Sequence, residues 1–174
     1  MTRKNQKTIK PVALLSDIRR DVSLVLGRPY TETIDHRIFQ PDKRALALWA
    51  ADCAEHVLPF FLEEQPGDIR PHAAIDACRQ WAATGVFRMT VIRKASLDAH
   101  AAARESKEAD AVFAAHAAGQ AVAAAHVPTH ALACSVYAIR AVAAHTGNAD
   151  DGLIGERTWQ LERLRRYAVQ HDSR

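Results

Sequence analysis

The sequence predicts an all-α protein, a single-domain antiparallel helical bundle of about six to seven helices. Three observations predict it. Residues 99–146 are close to a pure alanine sequence, broken by a few histidines, Gly119 and Pro128. Alanine is the best helix former, and its methyl group lets helix axes approach toward the low end of the ~8–10 Å range. Apolar residues elsewhere recur at spacings of three and four, the period of a helix with one buried face. The breaks between these segments are short, so consecutive helices are expected to pack antiparallel.

Pro11 to Leu26 reads as a short helix, with Ser16 or Asp17 at its start, Val12, Leu15, Ile18, Val22 and Val25 on one face and Gly27 after its end. From Arg28 to Gln40 the periodicity fails, and an irregular arm with a brief extended piece is expected. Residues 1–41 thus form an N-terminal tail, short helix and arm, and residues 42–174 the alanine-rich bundle. Asp42 is a good N-cap for a helix whose stripe is Leu46, Trp49, Cys53, Val57 and Phe60. Pro59 removes a backbone donor, so a kink or an end is expected between His56 and Phe61. The stretch Gln65 to Asp68 is a loop signal.

The next helix begins at Arg70-Pro71, buries Ala74, Ile75, Cys78, Trp81 and Ala82, and stops at Gly85. Another runs from about Met89 to Ser106, with Ile92, Ala95, Ala99 and Ala102 inward. Whether Ser106 to Asp110 is a turn or the middle of one long helix is left open by the sequence. A further helix carries Val112, Ala115, Gly119 and Val122. Glycine costs about 1 kcal/mol against alanine in a helix interior, which predicts a close backbone contact at Gly119. Pro128 ends that helix near His126 and starts one with Leu132, Val136, Ile139 and Ala143, stopping at Gly147-Asn148. Asp150 or Asp151 caps the last helix, with Ile154, Leu161, Leu164 and Ala168 inward and fraying near His171. The stretch from Pro71 to Gly85 echoes that from Pro128 to Gly147, so a duplicated helical hairpin is one reading.

The totals exclude several classes. The 174 residues suit one domain with a sizeable core. Aromatic residues are only 6%, so the core is aliphatic and alanine-built. The formal charge of +3, with both signs mixed along the chain, does not resemble a nucleic-acid binder. No continuous apolar run reaches the ~18 residues of a membrane span. The basic start has no apolar segment after it, so a cytoplasmic location is expected. Cys53, Cys78 and Cys134 read as free buried thiols.

Three residue sets invite a chemical reading. His126, His130 and Cys134 are spaced four apart and are good zinc ligands, but Pro128 breaks the shared face, and no metal is assigned. His100 and Arg104 on one helix, with His116 and Gln120 on the next, could line a small polar pocket that Tyr137 and Arg140 join. Guanidinium groups bind carboxylates bidentately, so such a pocket suits an anion or a partner's carboxylate. The plainer reading is a solvated stripe. Asp52, Glu55 and His56 suggest acid–base work, but at the flank of an apolar stripe such charges meet solvent or a neighbouring helix's arginine. Phosphate-binding glycine loops and a nucleophile elbow are absent from the sequence. No catalytic residue and no cofactor is assigned.

The ordered stretches Arg44 to Pro59, Arg70 to Trp81, Ala99 to Arg104, Ala117 to Ala121, and His126 with His130 to Leu132 resemble the immunity proteins of bacterial polymorphic toxin systems. The resemblance spans about Asp42 to Ala144. It implies a small, alanine-rich, all-helical protein that binds and neutralises a cognate protein toxin, and it brings no catalytic residues. A homodimer stays open; no nucleic-acid or membrane partner is expected. No carboxylate cluster is spaced for two metals, so nuclease chemistry finds no support. The arm from Arg28 to Gln40 departs from the short N-terminus usual in that group and is a candidate for an interface of its own. The alternative is a ligand- or metal-binding helical protein, which would bring His100, His116, His126 and His130 to one cavity. In that reading the low-lying binding set is His100, Arg104, His116, Gln120, His126, His130, Tyr137 and Arg140.

Overall fold

A computed structural model describes residues 11–26, 40–147 and 150–169. Among the described residues all regular structure is helical. In chain order the helices are α1 (Pro11–Leu26), α2 (Gln40–Glu64), α3 (Arg70–Thr84), α4 (Met89–Glu105), α5 (Ala109–Ala123), α6 (Thr129–His145) and α7 (Asp150–Val169). The all-α bundle expected from the sequence is therefore the observed fold. Helix α1 begins at Pro11, before the expected start at Ser16 or Asp17, and the arm's last residue, Gln40, opens α2; residues 28–39 and His171 lie outside the described residues.

Helix α5 is the axis of the bundle. Its buried residues are Ala111, Ala114, Ala115, Ala117, Ala118, Gly119, Ala121 and Val122, which cover rather more than half of its circumference, while Phe113, His116 and Gln120 on the other side are half-buried. So wide a buried face needs more than one neighbour. Accordingly α5 packs against α2, α3, α4 and α6. Small side chains make this enclosure feasible, because four neighbours must come close to one rod. The large core residues sit on the enclosing elements instead: Trp49, Leu46, Val57 and Phe61 on α2, Ile75 on α3 and Leu132 on α6. Helix α1 adds Ile18 and Val22 to the same core and packs on α6 and α7.

Helix α2 runs unbroken through Pro59 to Glu64. The expected end there does not occur. Pro59 and Glu55 both lie on the exposed side, so the carbonyl that loses its helical partner faces water rather than the core. The helix also starts at Gln40, which puts Asp42 inside its first turn rather than at the cap. Phe61, not Phe60, is the fully buried ring; Phe60 is partly covered and stacks on His145 at 4.1 Å. By length and composition Lys43–Glu64 would suffice to cross a bilayer, but 67% of that window is buried against other helices, and its apolar surface belongs to the core.

The junction of α4 and α5 is a turn. Ser106 is extended, and the carboxylate of Glu64 accepts the backbone N–H groups of Lys107 (2.8 Å) and Glu108 (3.1 Å). The last residue of α2 thus supplies acceptors beside the positive end of α5. Helices α3 and α6 share a design. Each has proline at its start, each closes beside a left-handed glycine (Gly85 at φ 69°, Gly147 at φ 65°), and each packs on both α2 and α5.

Helix α7 differs most from its expected register. Ile154 is 64% exposed, whereas Glu156 and Gln160 face inward with Leu164. Polar satisfaction explains this. The Gln160 amide donates to Ser135 O (3.1 Å) and to Glu156 (2.7 Å), while Trp49 Nε1–H donates to Gln160 O (2.8 Å). Asp52, also buried, accepts from Arg79 (2.9 Å), Arg163 (2.6 Å) and Tyr167 (2.5 Å). These bonds clamp α2, α3, α6 and α7 together.

Two stability outcomes follow from this packing. Ala117→Leu on α5 should overpack the centre and cost about 1–3 kcal/mol in urea unfolding. Asp52→Ala should cost about 2–3 kcal/mol, because it strips a charged acceptor from three donors at once.

Candidate functional site

The outer side of α4, α5 and α6 gathers most of the polar residues that the alanine stretch carries. His100 on α4 meets His116 on α5, with the two Nδ1 atoms 2.8 Å apart. One ring must donate Nδ1–H and the other accept at Nδ1, so the pair holds with both rings neutral. Gly119 makes room for it: a Cβ there would lie 2.8 Å from His100 Cε1. The sequence predicted close contact at Gly119 with a neighbouring backbone. The observed partner is a side chain, with Ser96 Oγ also donating to Gly119 O at 2.9 Å.

His116 also faces Tyr137 on α6, ring centres 5.1 Å apart. The Arg140 guanidinium lies 4.2 Å over the Phe113 ring and 5.9 Å from the Tyr137 ring. Phe113 was not singled out by sequence, although it lies three residues before His116 on the same face. Gln120 does not join the His100–His116 pair; its Oε1 accepts from His130 Nδ1 at 2.6 Å. His126 is exposed and stacks on Phe87 at 6.0 Å. Arg104 is exposed near the histidine pair.

The electrostatics have one sign. Burial, then the neighbouring His116, Arg104 and His130, push His100 down to about 4. Burial, then Arg104 and Arg140, lower His116; burial and then His126 lower His130. No carboxylate acts on any of the three. Indeed residues 111–149 contain no Asp or Glu. Nearby carboxylates are already engaged: Glu105 with Arg70 (2.5 Å), Asp110 with His145 (2.9 Å) and Asp98 with Lys94 (2.5 Å). The result is a face of arginine, tyrosine and neutral imidazole.

The other two sets resolve differently. Cys134 is buried and donates to Ala50 O at 3.1 Å, apart from the exposed His126. Among the described residues no group of three metal-ligating side chains converges. The three cysteines are free, and burial raises their thiols, Cys78 to about 12. Glu55 and Asp52 are bridged by Arg79 of α3, the neighbouring-helix arginine that the sequence suggested. His56 donates to Glu156 at 2.9 Å and stacks on Trp159 at 3.9 Å, and the bond to Glu156 raises its pKa.

A family model described as Imm-5 like putative immunity protein matches residues 36–167. No curated protein and no solved structure matches the chain.

Two measurements check this geometry. Gly119→Ala should lose stability in the wild-type background but gain about 1 kcal/mol when combined with His100→Ala, because the ring no longer obstructs the methyl group. Equal effects in both backgrounds would contradict the contact. His100, held down to about 4 from 6.5, stabilises the fold fully above pH 6.5 and loses that contribution as pH falls toward 4. His56, held up, acts in the opposite direction: its contribution is full below 6.5 and fades as pH rises through its raised value. Thermal melts from neutral to acidic pH should therefore fall less steeply for His100→Gln and more steeply for His56→Gln.

Proposed function

The chain belongs to the Imm-5 like putative immunity protein family, and from that membership we propose that it binds a cognate protein toxin and blocks it through its helical surface, without chemistry of its own. The family match over residues 36–167 carries the reading. Two features of the fold support it. The centre of the bundle is filled with methyl groups, and its thiols are raised out of the reactive range. The outer side of α4–α6 presents residue types that dominate binding energy at interfaces, namely Arg140, Tyr137, Phe113 and Arg104.

On this reading His100, Arg104, His116, Gln120, His126, His130, Tyr137 and Arg140 are contact and support residues rather than a catalytic pocket. Arg104 and Arg140 flank His116 with no carboxylate between them, so an acidic patch of the toxin is the complementary surface. The histidine pair joins α4, which carries Arg104, to α5, and His116 faces Tyr137 on α6, the helix that carries Arg140. A cytoplasmic setting, where such a toxin would act, fits the free thiols.

The test is protection. Each gene neighbouring the chain's own is expressed alone to find one whose product arrests growth, and the chain is then co-expressed with it. Growth should recover with the wild-type chain and recover poorly with the Arg104→Glu/Arg140→Glu variant. If no arrested culture recovers in the presence of the wild-type chain, the proposal fails.

A further inference from the structure

One end of the bundle carries a surface that the expected site residues only touch at His126. Helix α3 closes on Gly85, whose N–H donates to Trp81 O at 2.8 Å. Thr84 Oγ1 donates to Gln80 O (2.8 Å) and accepts the Val86 N–H (3.2 Å). The turn is thus fixed by its own hydrogen bonds. It presents Val86, Phe87, Met89 and Val91, each between 41% and 59% exposed. Beside them lies a groove of about 320 Å³ with Ala77, Trp81 and Ile92 as its floor and Val86, Arg88 and Val91 along its rim.

Cations surround this apolar corner. Lys43 at the start of α2 places its ammonium 5.4 Å from the Trp81 ring centre and 5.7 Å from that of Phe87. Arg44 reaches Gly85, with Nη2 3.5 Å from where a Cβ would stand. Residues 77–97 contain no Asp or Glu, yet carry Arg79, Arg88, Arg93 and Lys94. Arg79 and Lys94 have carboxylate partners. Lys43, Arg44, Arg88 and Arg93 form no ion pair among the described residues. Burial without a counter-charge lowers the Lys43 ammonium. Phe87, flanked by that ammonium and by the His126 ring, is a pre-oriented aromatic anchor.

We propose that the α3–α4 corner is a docking site for a protein segment that inserts an apolar side chain into the groove and sets flanking carboxylates against Lys43, Arg44 and Arg88. The proposal rests on the reading of the chain as a toxin-binding protein and assigns the partner's contact segment its chemistry. The groove takes one aliphatic or aromatic side chain, and the unpaired cations at its rim reject a basic segment. Acidic residues placed beside the apolar one satisfy cations that no carboxylate among the described residues pairs.

The experiment has two arms. In the first, a library of random peptides is selected against the full-length chain, and the selected peptide is titrated into isotope-labelled protein. The expected peptide has an apolar residue flanked by Asp or Glu. It should shift the amides of residues 43–44 and 81–92, bind more weakly at high salt, and lose at least about tenfold in affinity to Val86→Asp/Arg88→Glu. Both substituted positions are exposed, and an unchanged melting temperature confirms the variant's fold. Basic peptides, shifts confined to other faces, or no selected binder would overturn the proposal. So would a large loss of melting temperature in the variant, which would mean the chain fills its own groove, or a self-association that the variant abolishes, which would put a second copy there. In the second arm the variant is tested for protection of toxin-arrested cells. Impaired protection is expected. Full protection by the variant sinks the docking site while leaving the immunity reading intact, whereas failure of the wild-type chain sinks that reading, with the peptide arm still deciding the groove.

Discussion

The close approach of methyl groups around α5 is the constraint from which the rest of the structure follows. A helix buried over more than half of its circumference needs several neighbours, and only small side chains let them all come near. Ala111, Ala114, Ala115, Ala117, Ala118 and Ala121 meet that need. Each methyl group buries little area, so the stabilisation comes from many short dispersion contacts and from the high helix propensity of alanine. The bulk is carried by Trp49, Phe61, Ile75 and Leu132 on the helices around it.

A core of that kind leaves specificity to its periphery. Polar side chains there are arranged in two ways. On the α1–α2–α7 side they are paired: Asp52 with Arg79 and Arg163, Glu156 with His56 and Gln160, and Asp21 with Arg157. These bonds fix helix register. On the α4–α6 side and at the α3–α4 corner the cations outnumber the carboxylates that reach them, and the imidazoles are held neutral by burial. Unpaired charge beside exposed aromatic and aliphatic side chains is what a partner of opposite charge can use. Such surfaces agree with the proposed binding role.

Much of the fold could be read from the sequence because alanine, proline and glycine act locally. Pro71, Gly85, Pro128 and Gly147 mark the limits of α3 and α6 through backbone geometry alone. Where the reading failed, non-local polar bonds decided. The inward face of α7 is set by Gln160 and Glu156, which bond to Trp49, Ser135 and His56 on other helices, and hydrophobic periodicity favoured Ile154 instead. Pro59 pointed to a kink or an end, and the helix does not end there because its exposed side of α2 tolerates the missing bond. At the site, the four-residue spacings of His100 with Arg104 and of His116 with Gln120 pointed to one face, and the structure does bring His100 to His116 and His116 to Tyr137. It sends Gln120 to His130 and His126 to Phe87, because the turn at Pro128 reorients both histidines. The apolar corner at Val86 and Phe87 left a trace in the carboxylate-free run 77–97, a signal that only acquires meaning once Lys43 and Arg44 are seen beside it.

On the proposed reading, protection is a matter of occupancy, with one chain masking one toxin molecule. Purified toxin titrated with purified chain measures this directly. Inhibition should be complete only near equimolar amounts, and denaturing the complex should return toxin of unchanged mass and full activity. Inactivation by a small fraction of an equivalent, or toxin recovered cleaved or covalently altered, would show that the chain acts by chemistry and not by its surface.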